Sequence, residues 1–129
     1  MLEANQITKS YGNLQVLRGV SLTVKPHEIV SVVGASGAGK TTLLQILGSL
    51  ILPDSGSVTI HGMDLFAMRE KELSRFRNKQ IGFVFQFHHL LPEFSAFENV
   101  CIPGYIAGTR KSDVEKRAHE LLQIGRAHV

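Results

Sequence analysis

"GASGAGKTT" occupies Gly34–Thr42 and follows directly on "EIVSVV", Glu28–Val33. The first stretch is three glycines, two alanines, a serine, a lysine and two threonines. The second is almost wholly apolar and reads as a strand buried on both faces. Gly34 to Thr41 matches G-x-x-x-x-G-K-[ST] at every fixed position. Small residues let a loop turn successive backbone N–H groups inward and form a concave anion seat. Gly34, Gly37 and Gly39 permit backbone angles and close approach that a Cβ would obstruct. A helix beginning near Lys40 directs the positive end of its dipole at the same place. The pattern therefore predicts a seat for a polyphosphate. Gly34, Ala35, Ser36, Gly37, Ala38 and Gly39 form its wall. Lys40 is a point charge for the outer phosphates, and the Thr41 hydroxyl is an oxygen ligand for Mg²⁺. Thr42 adds an N–H and a hydroxyl near the innermost phosphate. A glycine-rich turn that merely caps a helix is the plainer alternative. The apolar strand before the loop and the apolar helix after it favour the phosphate seat.

Outward from this loop, the spacing predicts an α/β chain. Leu2–Tyr11 ends in the turn signal "YGN", and Gln15–Val24 alternates through Val20, Leu22 and Val24. Two or three short antiparallel strands are expected there. Leu43, Leu44, Ile46, Leu47 and Leu50 give Thr41–Leu50 a broad apolar helix face. Gly56–Gly62 alternates as a strand. Arg69–Asn78 reads as a charged helix turning Leu73 and Phe76 inward, and Ile81–Phe85 as a second buried strand. Gln86–Val100 is a loop rich in large apolar residues that passes into a short helix. In the last helix Ser112 and Glu115 have capping-box spacing, and Val114, Ala118, Leu121 and Leu122 share one face.

Composition sets the outer limits. The chain has 129 residues, 43% hydrophobic and 19% charged, about one domain's worth. Its net charge of +3 comes from basic residues dispersed among acids, as in "MREKELSRFRNK". This describes a solvated surface rather than a nucleic-acid patch. The single cysteine, Cys101, cannot form an internal disulfide and reads as a small buried apolar residue. The first residues lack the apolar core of a signal peptide. The most apolar segment, Leu43–Leu52, falls well short of the ~20 residues of a membrane span, so a membrane role is expected to come through a partner. His88 and His89 are adjacent, but no cysteine or carboxylate at ligand spacing joins them, which argues against zinc.

Two blocks resemble one family. "ITKSYGNLQVLRGVSLTVKPHEIVSVVGASGAGKTTLLQILGSLILPDSGSVTIHG" is similar to the opening of an ABC-transporter ATP-binding subunit, and "IGFVFQFHHLLPEFSAFENV" to that family's Q-loop segment. The resemblance runs from about Leu2 to Leu122. Its wording is most similar to the lipoprotein-releasing and macrolide-exporter subgroup. The resemblance implies a P-loop NTPase sheet with an N-terminal antiparallel β subdomain. It also implies ATP and Mg²⁺ as cofactors, with Tyr11 stacking on adenine. Lys40 and Gln86 take catalytic roles, and Thr41 and Gln86 complete the Mg²⁺ shell. Phe87–Glu98 is the surface that receives transmembrane permease subunits, and a second ATP-binding subunit joins in a head-to-tail dimer. Nucleic acid is not expected as a partner. The implied location is cytoplasmic, on the inner face of the cell membrane.

The departures carry their own expectations. The sequence holds no Leu-Ser-Gly-Gly signature, no apolar strand ending in Asp-Glu (the Walker B region) and no later switch histidine. It reads as residues 1–123 of an ATP-binding domain truncated before those regions, and the fragment alone is not expected to hydrolyse ATP. Residues 124–129, "IGRAHV", read as a non-native tail, the translation of a common sequencing adapter, against a natural helix end with Gly125 at C′. Unpaired apolar strand edges and poor stability are expected to follow. Two rivals remain: a soluble ABC-type switch module without a permease, and another P-loop kinase or GTPase. Tyr11 in the N-terminal strands and Gln86 after a later strand argue against the second.

Overall fold

The computed structural model describes residues 1–126, with side chains through residue 124. It divides into two units, Met1–Arg77 and Asn78–Val129.

The first unit is built on an antiparallel sheet. Strands β1 (Leu2–Tyr11) and β2 (Leu14–Val24) form a hairpin. Strand β3 (Ser55–Ile60) lies on the other side of β1, and the short β4 (Met63–Asp64) on the far side of β3. The order is β2-β1-β3-β4. Strict alternation would place Ala4 and Ile7 on opposite faces, yet both are buried. A bulge resolves this. Ala4 pairs with Leu22 and Ile7 with Val20, so β1 holds one extra residue, and Gln6 takes a left-handed φ of 49°. The bulged backbone presses on β3: a Cβ on Gly56 would lie 2.5 Å from Gln6 O and 2.6 Å from Asn5 O. Only glycine fits there.

Helix α1 (Lys40–Leu47) covers this unit's core with Leu43 and Ile46, which join Ala4, Ile7, Leu17 and Val58 among the buried residues. Leu44 and Leu50 are exposed, so the buried stripe is narrower than the sequence predicts. The helix ends in a Schellman motif, in which Leu50 N–H donates to Gln45 O and Ser49 N–H to Ile46 O. Ser49 occupies the left-handed position glycine usually fills, with φ 62°. It is buried, and Arg77 Nη1 donates to its carbonyl at 2.7 Å. Helix α2 (Glu70–Gln80) buries Leu73 and Phe76 as expected.

In the second unit, α3 (Ala96–Ile106) and α4 (Lys111–Arg126) pack through Cys101, Val114 and Ala118, with Phe97 and Val100 against them. The capping box belongs to α3. Ser95 Oγ accepts from Glu98 N–H at 3.1 Å, and Glu98 Oε2 from Ser95 N–H at 2.7 Å. Helix α4 instead starts at Lys111, one residue ahead of Ser112. Arg110 O already accepts the N–H groups of Asp113 and Val114, so the sequence-predicted Ser112–Glu115 box does not form. Leu121 and Leu122 are exposed. The backbone stays helical through Arg126, past the Gly125 stop considered from sequence. The rest of the expected tail, residues 127–129, lies outside the described residues.

The two apolar runs read as buried strands are corrected by the structure. Among the described residues, neither Glu28–Val33 nor Ile81–Phe85 joins a ladder. Ile29, Val33 and Val84 are 95%, 87% and 103% exposed. An apolar run records the burial a segment would accept. Burial itself needs neighbouring strands to supply hydrogen bonds on both edges, and no described strand lies beside these runs. These runs are exposed unpaired backbone and not the strand edges expected from sequence.

Candidate functional site: a polyphosphate seat beside the hairpin

The seat lies in the first unit. Gly37 and Gly39 both hold left-handed backbone, with φ 79° and 92°. Ala38 N–H closes a turn on Ala35 O at 3.1 Å. Gly39 occupies the N-cap position of α1 and brings no capping side chain. The N–H groups of Lys40, Thr41 and Thr42 stand in the first helical turn, where no intrahelical acceptor is available. Donor groups are thus collected at a positive helix end with no side chain to satisfy them. Lys40 Nζ folds across the loop and donates to Gly34 O at 2.7 Å and Ala35 O at 2.6 Å. Its ammonium is held over the seat and has a third proton to give. Thr41 is exposed in the first turn, and Ser36 lies at the loop's turn.

Strand β2 braces the loop, which the sequence reading missed. Lys9 pairs with Leu17 and Ser10 with Gln15, leaving Val16 as a bulged residue on β2. A Cβ on Gly39 would meet Val16 Cγ1 at 2.8 Å, Leu17 Cδ2 at 3.1 Å and Val16 O at 3.2 Å. The bulge therefore presses on the loop where its backbone turns into α1. Nothing in the alternation of "QVLRGV" signals an extra residue at Val16.

Tyr11 ends β1 at the tip of the hairpin and is 52% exposed. Lys9 Nζ lies 5.5 Å from its ring centroid.

Gln86, Thr41's expected companion at Mg²⁺, belongs to the second unit and is exposed. It directly follows Phe85, which makes two aromatic contacts. Phe83 and Phe85 stack at 5.3 Å, and Phe85 meets His89 edge-on at 4.7 Å. His88 Nδ1 accepts from Leu90 N–H at 3.2 Å, a local contact within the segment. Phe87, Leu90, Leu91 and Phe94 are exposed in the Phe87–Glu98 segment. Asn99 fixes this segment from α3. Its amide oxygen accepts from Leu91 N–H at 2.9 Å, and its amide nitrogen donates to Leu91 O, Phe94 O and Ser95 O at 2.9–3.1 Å. The same segment that exposes apolar side chains therefore has a pinned backbone. Cys101 is buried, as its sequence context suggests.

A glycine loop with uncapped N–H groups and a lysine at the start of a helix, braced by an antiparallel hairpin that ends in an exposed aromatic, has the form of a P-loop. The particular family follows from comparison. Residues 17–128 match the ABC transporter family model, and the chain belongs to that family. It is 60% identical over 122 residues to the lipoprotein-releasing system ATP-binding protein LolD of Bacteroides thetaiotaomicron, covering 95% of this chain and 56% of that protein. The LolD protein of Porphyromonas gingivalis is 52% identical over 122 residues, with the same coverage. Among solved structures, the dimeric ATP-binding cassette MJ0796 bound to ADP and Pi superposes with a TM-score of 0.88 at 35% identity. That match covers 98% of this chain and 57% of the cassette. The chain thus spans a little over half the length of the relatives it matches.

Proposed function

We propose that this chain is the nucleotide-binding portion of an ABC transporter ATPase that couples ATP binding and hydrolysis to a membrane permease for lipoprotein release. The observation that carries the reading is the loop itself, where left-handed Gly37 and Gly39, uncapped N–H groups and a Lys40 ammonium converge. Those donors fit a triphosphate. Thr42 and the backbone of Gly34–Lys40 contact its oxygens, and Tyr11 offers a ring face to adenine. The hydroxyl of Thr41 and the amide oxygen of Gln86 are hard donors of the kind Mg²⁺ accepts. In such a site Mg²⁺ supplies charge neutralisation between phosphate oxygens. The family resemblance proposes Lys40 and Gln86, each on its own unit, for catalytic roles.

Residues 1–123 are read as the N-terminal part of the ATP-binding domain. The unpaired runs at 28–33 and 81–85 suit strands completed by further sheet, and the 56% coverage of a LolD relative fits the same reading. No Leu-Ser-Gly-Gly signature or Asp-Glu strand end lies in the 129 residues, so the part of the reading that they carry is nucleotide binding. Phe87–Glu98, apolar and pinned by Asn99, is the face offered to permease subunits, and a second ATP-binding subunit completes a head-to-tail dimer. The place of action is the cytoplasmic face of the cell membrane. No described helix is long and apolar enough to cross the bilayer. The LolD relatives weigh against a permease-free switch module.

Calorimetric titration with ATP, inorganic triphosphate and AMP tests the reading, each with and without Mg²⁺. Binding of ATP and triphosphate but not AMP is expected. Equal affinity for AMP and ATP would contradict a triphosphate seat. For the partner, co-expression with a permease encoded beside the gene should retain the chain in the membrane fraction, and Leu91→Asp with Phe94→Asp should release it.

A further inference from the structure

The hairpin tip is tied down by residues outside the glycine loop. Asp54, just before β3, uses both carboxylate oxygens. Oδ2 accepts from Ser10 N–H at 2.6 Å, and Oδ1 pairs with Lys9 Nζ at 3.5 Å. Asp54 N–H donates to Thr8 O at 2.8 Å, and the Thr8 and Ser55 hydroxyls share a hydrogen bond at 2.6 Å. The end of β1 is therefore stitched to the 54–55 segment residue by residue. Lys9 is not a free surface lysine: its side chain is only 18% exposed, against 46% for Asp54. Its ammonium stands between the Asp54 carboxylate and the Tyr11 ring, 5.5 Å from the ring centroid.

We propose that Lys9 and Asp54 are positioning residues for the aromatic platform. Asp54 anchors the Lys9 ammonium and the backbone of Ser10. Lys9 then occupies one face of the Tyr11 ring and leaves the opposite face for the purine. The inference rests on Tyr11 being the base platform. Tyr11 is too exposed to be oriented by packing, and an aromatic ring free to rotate about χ1 would lose entropy on stacking. A cation seated over one face removes part of that loss before the nucleotide arrives. It also predicts where selectivity lies: the device acts on the base and leaves the phosphates untouched.

The test compares ATP with inorganic triphosphate on the 129-residue chain. Lys9→Met keeps the aliphatic stem and removes the charge. It should weaken ATP about two- to fivefold, the size of an exposed cation–π contact, and leave triphosphate affinity unchanged. Asp54→Asn keeps an acceptor for Ser10 N–H but not the charge that anchors Lys9, and should produce a smaller loss of the same base-dependent kind. Lys9→Arg should restore ATP affinity. The chain has two tyrosines and no tryptophan, so in a Tyr105→Phe background Tyr11 is the only tyrosine emitter. ATP should quench it, after correction for absorption, and Lys9→Met should reduce the quenching at saturation. A parallel Tyr11→Ala measurement separates the two layers. If Tyr11→Ala weakens ATP while Lys9→Met and Asp54→Asn do not, the platform stands and the positioning role is overturned. If both variants weaken ATP and triphosphate equally, their role is structural and the inference also fails. If Tyr11→Ala leaves ATP affinity unchanged, the platform itself is wrong and this inference falls with it.

Discussion

Replacing Gly39 by alanine probes the joint between sheet and seat. Two costs arise from one methyl group. An L-residue held at φ 92° is disfavoured by about 1–2 kcal/mol relative to glycine. The added Cβ would also lie 2.8 Å from Val16 Cγ1 and 3.2 Å from Val16 O, where carbon–carbon contacts are comfortable at about 3.5–4.0 Å. The Cγ1 contact can ease by a rotation of Val16. The carbonyl contact cannot, because it belongs to strand backbone. Overpacking of this kind costs about 1–3 kcal/mol, so the two effects together come to roughly 2–5 kcal/mol. That cost must appear as lost stability or as lost anion affinity. Urea unfolding monitored by circular dichroism reports the first, and titration with inorganic triphosphate the second. Val16→Ala should recover about 1 kcal/mol of the combined loss in the double variant, since it removes Cγ1 and leaves the carbonyl. A Gly39→Ala chain with parental urea midpoint and parental triphosphate affinity would refute the reasoning.

Four further predictions follow from other parts of the structure. Lys40→Ala should weaken inorganic triphosphate by at least one charge-assisted contact, about 1.5–3 kcal/mol, measured by calorimetry. Gly56→Ala forces a methyl against two carbonyl oxygens of β1 and should lower the urea midpoint by more than any exposed β3 substitution, because the bulge at Gln6 leaves no space. Ser95→Ala should destabilise the second unit by about 1 kcal/mol through loss of the α3 cap, visible as faster amide exchange in Ala96–Asn99. Ile29→Lys, at a position 95% exposed, should change the folding midpoint of this chain by under ~0.5 kcal/mol while reducing concentration-dependent light scattering; a large drop in midpoint would mean the run is buried in solution.

Much of the site was legible because its chemistry is local. The glycines at 34, 37 and 39, the lysine and the threonines fall within nine residues, and the backbone angles they need are written into their residue types. The hairpin was legible from alternation and from "YGN". What sequence could not supply was anything set by register. The bulge that aims Val16 at Gly39 and the one that forces glycine at position 56 arise from pairing between distant segments. So does the Asp54 tie to Ser10. The S-x-x-E pattern occurs at both Ser95 and Ser112, and only the position of the first helical turn decides which one caps. Arg110 O had already begun α4, so Ser112 fell inside it. The apolar runs at 28–33 and 81–85 show the opposite limit. Hydrophobicity reports a preference for burial, whereas a ladder needs a neighbour to pair with.

Amide resonances of the glycine loop, followed by NMR as ATP and Mg²⁺ are added, test the central claim most directly. The account predicts saturable downfield shifts of the Gly37–Thr42 N–H signals, reproduced by inorganic triphosphate and diminished in Lys40→Ala. Loop signals that stay in place while nucleotide binds and shifts residues elsewhere would contradict it.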